Sequence, residues 1–94
     1  MEFINMIDKI IYPGSFDPIT KGHEDIINQL QNIASVVIVA IAEDNDKNSL
    51  YSIDQRLNLL NELYQNHANI EVISYSGLTV DLAKKIMSVL LQGV

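Results

Sequence analysis

Cysteine is absent from the 94 residues. That excludes disulfides, thiolate metal sites and a cysteine nucleophile. Positive charge is scarce: six Lys and Arg stand against twelve Asp and Glu, a net charge of −6. No block of like charge runs through the chain, so the balance argues against a nucleic-acid partner held by phosphate neutralisation. Long hydrophobic runs are missing too. The longest, Val36–Ala42, is far short of the roughly 20 residues a membrane-spanning helix needs. Residues 1–8 carry neither a positive leading region nor a cleavage pattern, so no signal peptide is expected. A cytoplasmic protein without a membrane partner is the default expectation. What is present suits a globular fold: 48% of residues are hydrophobic and 19% charged. One small domain spanning residues 1–94 is expected, near the low end of what folds alone.

Short apolar runs alternate with helical spacing. Residues 9–12 (KIIY) form a strand that stops at the turn pair Pro13-Gly14. Residues 22–33 place Ile26, Ile27, Leu30 and Ile33 on one face of a helix. Val36–Ala42 is a continuous, mostly β-branched run, the pattern of a central strand covered on both faces. Ser52 and Gln55 have capping-box spacing, and Leu57, Leu60, Leu63 and Tyr64 carry a helix to about residue 65. Residues 70–74 predict a third strand, Gly77 a turn, 80–86 a short helix and 88–91 a fourth strand. The order β-α-β-α-β-α-β predicts an α/β fold, a Rossmann-like parallel sheet with helices on both faces. Ligands of such sheets bind beyond the carboxyl ends of the strands, at the switch point in strand order.

The loop after the first strand should lie at that end, and it is the most unusual stretch of the chain. Residues 12–23 read Tyr-Pro-Gly-Ser-Phe-Asp-Pro-Ile-Thr-Lys-Gly-His. Neither the phosphate-loop pattern G-x-x-x-x-G-K-[ST] nor G-x-G-x-x-G occurs. Instead Gly22-His23 opens a helix, whose free N–H groups and partial positive charge favour a phosphate. His23 can donate to a phosphate oxygen there, with Thr20 and Lys21 as further donors. Asp17 is expected to order the loop by accepting backbone N–H groups. Arg56 is expected to serve helix or subunit packing, and His67 to sit in a solvated turn.

The run Tyr12-Pro13-Gly14-Ser15-Phe16-Asp17-Pro18, followed by Thr20-Lys21-Gly22-His23, resembles the signature of the HIGH-type nucleotidyltransferases. Within them it is most similar to the phosphopantetheine adenylyltransferase family. The resemblance continues through V-x-V-A-I-A at 37–42, Lys47, the Tyr51-Ser52-x-x-x-Arg56 helix start and residues 77–81 (GLTVD). It covers roughly residues 9 to 86. It implies transfer of the adenylyl group of ATP to 4′-phosphopantetheine, giving dephospho-coenzyme A and pyrophosphate, with magnesium accompanying ATP. By position in the motif, His23 matches the catalytic residue that stabilises the transition state and binds ATP. Ser15 matches a residue that binds both substrate and ATP, and Phe16 one that touches ATP through its backbone. Lys47 matches the lysine that grips the substrate phosphate, and Thr79 a position on the pantetheine arm. No metal-ligating side chain is implied. The family's hexamers imply a homo-oligomer.

The match stops before the family's later motifs. Gln92 stands where the first arginine of an Arg-Gly-x-Arg segment is expected, and the later ATP-binding motifs have no counterpart. The resemblance therefore implies the N-terminal portion of such a fold, lacking its C-terminal part. Two other readings stay open: a catalytically inactive nucleotide-binding remnant, and a sister transferase acting on nicotinate mononucleotide or glycerol 3-phosphate.

Overall fold

A computed structural model of the chain describes residues 4–6, 8–43, 49–77 and 81–85. In chain order it holds β1 (Ile4–Met6), β2 (Lys9–Gly14), α1 (Lys21–Leu30), β3 (Val36–Ala42), α2 (Ile53–Leu63) and β4 (Ile70–Tyr75). Residues 81–85 are helical. The alternation expected from periodicity is present from β2 onward. The expected strand at 88–91 lies outside the described residues.

The four strands form one sheet in the order β1-β2-β3-β4. β2, β3 and β4 run parallel, in a register that aligns Tyr12 with Val39 and Val39 with Val72. All three therefore end at the same edge of the sheet. β1 is antiparallel to β2, with Ile4 opposite Ile11 and Met6 opposite Lys9. The sequence reading did not anticipate it, because three residues are too short to show a periodicity. It covers backbone groups that β2 would otherwise present as an edge. The three parallel strands lie in sequential order, so the described residues contain no reversal of strand order. What changes after β4 is the layer. Both α1 and α2 cover one face of the sheet, through Ile27, Leu30, Leu60 and Tyr64 packed on Tyr12, Val37, Val39 and Ile70. Leu82 and Ala83 cover the other face, against Ile11, Ile38 and Ala40. Helices on both faces are thus observed. Residues 37–41 of β3 are all buried, as their unbroken apolar run requires.

The helix ends follow local chemistry. Ser52 caps α2: its hydroxyl accepts from the Gln55 N–H at 3.1 Å, and the Gln55 side chain accepts from the Ser52 N–H at 2.9 Å. This is the capping box expected from the sequence. α1 stops at Leu30, three residues before the expected end. The Asn32 and Ile33 N–H groups bond to the carbonyls of Gln29 and Leu30, so the chain tightens into i→i+3 turns. Ile33 is consequently 68% exposed rather than in the core. Gly77 adopts φ +90°, the left-handed conformation that suits glycine at a turn.

Two tyrosines bring hydroxyls into the core beneath α1 and α2. Burial raises the pKa of Tyr12. Burial first, then the Glu24 carboxylate and Tyr12, push Tyr64 up to about 12. A tyrosine whose pKa is raised by folding favours the native state only while it stays neutral. Unfolding stability should therefore be independent of this group below pH ~10 and fall as pH rises from about 10 to about 12. Urea titrations across that range should show the decline, and Tyr64→Phe should reduce it.

Leu60 is 1% exposed, whereas its neighbour Leu59 is 44% exposed. Leu60→Ala should cost about 2–5 kcal/mol of stability. Leu59→Ala should stay within about 0.5 kcal/mol. Equal effects in chemical denaturation would mean that α2 does not dock on the sheet as described.

Candidate functional site

The loop from Ser15 to Thr20 leaves β2 at the carboxyl edge of the sheet and enters α1. Gly14 keeps β2 close to this loop: a Cβ added there would lie 3.1 Å from the Phe16 ring. Phe16 itself is 2% exposed and takes φ +47°. A non-glycine residue in the left-handed region carries strain that its surroundings must offset. Those surroundings are visible. The Phe16 ring meets Tyr12 edge-on, with centroids 5.2 Å apart, and lies 5.0 Å from the His23 ring. The aromatic contact thus links the turned loop to the helix start.

Thr20 is the N-cap of α1, in extended conformation. Its hydroxyl accepts from the His23 N–H at 3.3 Å. In return its own N–H donates to Nδ1 of His23 at 2.9 Å. This is a capping box in which histidine takes the place usually held by glutamate or glutamine. The bond has a chemical consequence. Nδ1 must be bare to accept, so the neutral imidazole carries its proton on Nε2. His23 can therefore offer an Nε2–H donor from the first turn of α1. The N–H groups of Lys21 and Gly22 precede the first intrahelical bond, from the Glu24 N–H to the Thr20 carbonyl at 3.0 Å. They have no acceptor within the helix. Histidine donor, helix N–H groups and helix dipole together make this end suited to a phosphate. The Thr20 N–H and hydroxyl, expected as phosphate donors, instead hold the helix cap and His23.

Asp17 ties its loop to the segment that precedes α2. Oδ2 accepts from the Leu50 N–H and Oδ1 from the Tyr51 N–H, both at 2.7 Å. Arg56 is 3% exposed and reaches the same loop. Its Nη1 donates to the Ser15 carbonyl at 2.8 Å and its Nε to the Tyr51 carbonyl at 3.1 Å. Nε also lies 3.9 Å from the Asp17 carboxylate. The capping box at Ser52 puts Arg56 on the first turn of α2, but no sequence pattern joins it to Ser15.

Of the residues singled out from the sequence, the structure brings Ser15, Phe16 and His23 together on this loop and helix start. Lys47 and Thr79 lie outside the described residues. They follow β3 and β4, whose ends share the edge where β2 ends: the Glu43 N–H bonds to the Tyr75 carbonyl there at 2.7 Å. His67 is exposed in a turn, its ring edge-on to Tyr64 at 5.5 Å. A groove of about 620 Å³ lies elsewhere, on the face opposite α1 and α2, lined by Ile38, Ile73, Leu82 and Lys85 among others. It contains none of the three loop residues. Among the described residues no group of three or more His, Cys, Asp or Glu side chains could hold a metal ion. Nor, among them, is any helix long and apolar enough to cross a membrane.

The family model described as cytidylyltransferase-like matches residues 11–94. The chain belongs to the cytidylyltransferase-like family. The match begins within β2 and includes the whole Ser15–His23 segment. Among curated relatives of this cytidylyltransferase-like domain, the chain is 44% identical over 75 residues to a phosphopantetheine adenylyltransferase of Clostridium botulinum strain Langeland, covering 80% of this chain and 46% of that protein. It is 43% identical over 77 residues to the enzyme of that name from Flavobacterium johnsoniae, covering 82% of this chain and 51% of that protein. The chain thus spans about half the length of the curated relatives it matches.

The capping arrangement is directly measurable. Long-range ¹H–¹⁵N spectra of neutral His23 should show the Nε2–H tautomer. A dominant Nδ1–H form would contradict the Thr20–His23 bond. Thr20→Ala should cost about 1 kcal/mol in stability, the scale of a lost N-cap.

Proposed function

We propose that this domain takes part in adenylyl transfer from ATP to 4′-phosphopantetheine, the reaction named for the curated relatives and implied by the Tyr12–His23 motif. The reading is carried by one observation: the Thr20–His23 capping box, which sets an Nε2–H donor at a helix start beside the Ser15–Phe16 turn. In this reaction a phosphate oxygen of phosphopantetheine bonds to the α-phosphorus of ATP. The bond from that phosphorus to the bridging oxygen breaks, and pyrophosphate leaves with the electron pair. No protein nucleophile is needed. The chain's task is to position two phosphates and to stabilise charge on the α-phosphoryl oxygens.

In this reading His23 donates from Nε2 to an α-phosphate oxygen as negative charge grows there. The Lys21 and Gly22 N–H groups support the same anion. Ser15 contacts both ligands, and the Phe16 backbone contacts ATP. Lys47 grips the phosphopantetheine phosphate, and Thr79 meets the pantetheine arm. The described side chains do not form a metal cage, so magnesium would enter on ATP, held by phosphates and water, and no step is assigned to it. Coenzyme A biosynthesis, a cytoplasmic setting and a homo-oligomer belong to the same proposal.

The test uses the 94-residue chain with ATP, 4′-phosphopantetheine and magnesium, read by calorimetry and by pyrophosphate release. Both ligands should bind, and nicotinate mononucleotide and glycerol 3-phosphate should bind more weakly than phosphopantetheine. In a form of the protein that shows turnover, His23→Ala should lower pyrophosphate release by about 10²–10³-fold, the scale of one lost transition-state donor, with smaller changes in affinity; little or no release is expected from the 94 residues alone. Lys47→Ala should weaken phosphopantetheine far more than ATP. ATP binding without pyrophosphate release would favour a nucleotide-binding remnant. Preference for another phosphorylated acceptor would favour a sister transferase.

A further inference from the structure

Arg56 is the one buried charged residue recorded among the described residues, and its side chain contacts the Ser15–Asp17 loop and the Tyr51 and Ser52 carbonyls beside the N–H groups that Asp17 holds. Nη1 donates to the Ser15 carbonyl at 2.8 Å. Nε donates to the Tyr51 carbonyl at 3.1 Å and lies 3.4 Å from the Ser52 carbonyl. Asp17 stands 3.9 Å from Nε and accepts the Leu50 and Tyr51 N–H groups. Arginine and aspartate thus tie the same two segments. The Ser15 carbonyl needs that tie, because the next residue, Phe16, holds φ +47°. A buried guanidinium left without these acceptors would be costly, so the loop and Arg56 constrain each other.

We propose that Arg56 and Asp17 are positioning residues for the candidate phosphate site. They hold Ser15 and Phe16 in the turned conformation that sets the Phe16 ring 5.0 Å from His23. The pair acts through the loop and does not touch the reacting phosphates. Its relevance to ligand binding rests on the function proposed above; its effect on the loop does not. Lysine is a poor substitute for Arg56, because a single ammonium group cannot reproduce the planar fork that serves Ser15, Tyr51 and Asp17 together.

The experiment compares the 94-residue chain with Arg56→Lys, Arg56→Gln and Asp17→Asn, each under conditions where circular dichroism shows it folded. In the parent chain, the Leu50 and Tyr51 amides and the Arg56 Nε–H should exchange slowly with water; fast exchange of all three would overturn the proposal without any variant. In each folded variant, the amide signals of residues 15–17 and the ring protons of His23 should shift, while α1 beyond Ile26 stays unchanged. The Lys variant should lie closer to the parent than the Gln variant. ATP affinity should fall by about tenfold, the scale of one charge-assisted hydrogen bond. A folded Arg56→Gln chain with unmoved His23 ring protons and unchanged ATP affinity would overturn the proposal and leave Arg56 a packing residue. Absence of ATP binding in the parent would count against the proposed function alone, since the spectra decide the positioning role by themselves.

Discussion

Residues 37–41 of β3 have no access to water on either face of the sheet. A strand of that kind must have a layer on each side, and four of its five residues are Val or Ile, each contributing about 1.5–3 kcal/mol when fully buried. The remaining elements can be derived from this demand. α1 and α2 cover one face, and the helical residues 81–85 cover the other. β2 and β4 run parallel on its two flanks. Because all three strands end at one edge, the loops that follow them are gathered there without any further device. The position of the candidate site is thus a by-product of burying β3.

At that edge one short motif serves stability and chemistry together. Thr20 and His23 satisfy each other's backbone and side-chain groups, which ends the loop and starts α1. The same bonds leave Nε2 as the donor nitrogen and hold the ring in place. A glutamate in the same position would cap the helix equally well but would bring negative charge to the candidate phosphate site. Phe16 adds the second constraint. Its ring is buried between Tyr12 and His23, while its backbone sits in a conformation that only a firmly held loop tolerates. Arg56 supplies that hold from outside the motif, and Asp17 supplies it from within, through the Leu50 and Tyr51 N–H groups.

The sheet has two unlike sides. The face under α1 and α2 contains the larger cluster of apolar side chains and both buried tyrosines. The other face carries an open groove flanked by Lys9 and Lys85 as well as Glu71 and Asp81. The candidate site at the start of α1 and the groove are therefore separate parts of the described structure. Among the described residues the candidate site is made by a helix start and a turned loop.

Much of this was legible in the chain because it rests on near neighbours. The run at Val36–Ala42 announced a strand buried on both faces. Ser52 with Gln55 announced the cap of α2, three residues apart. Gly22-His23 announced the start of α1. Each of these depends on residues within a turn or two, whose spacing records the contacts they make. Three features had no such record. β1 is too short to show a period, and its value lies in the edge of β2 that it covers. The end of α1 at Leu30 depends on how the chain must turn to reach β3, which pulled Ile33 out of the core. Arg56 reaches Ser15 across 41 residues, and Asp17 reaches Leu50 across 33. Nothing in the spacing of either pair marks them as partners. Periodicity could name the elements, and the motif the candidate residues, because those are local properties of the chain. Which buried charge holds the loop, and in what conformation, was set only when α2 packed on the sheet over β3 and β4, because a buried guanidinium takes the acceptors that the fold brings within its reach.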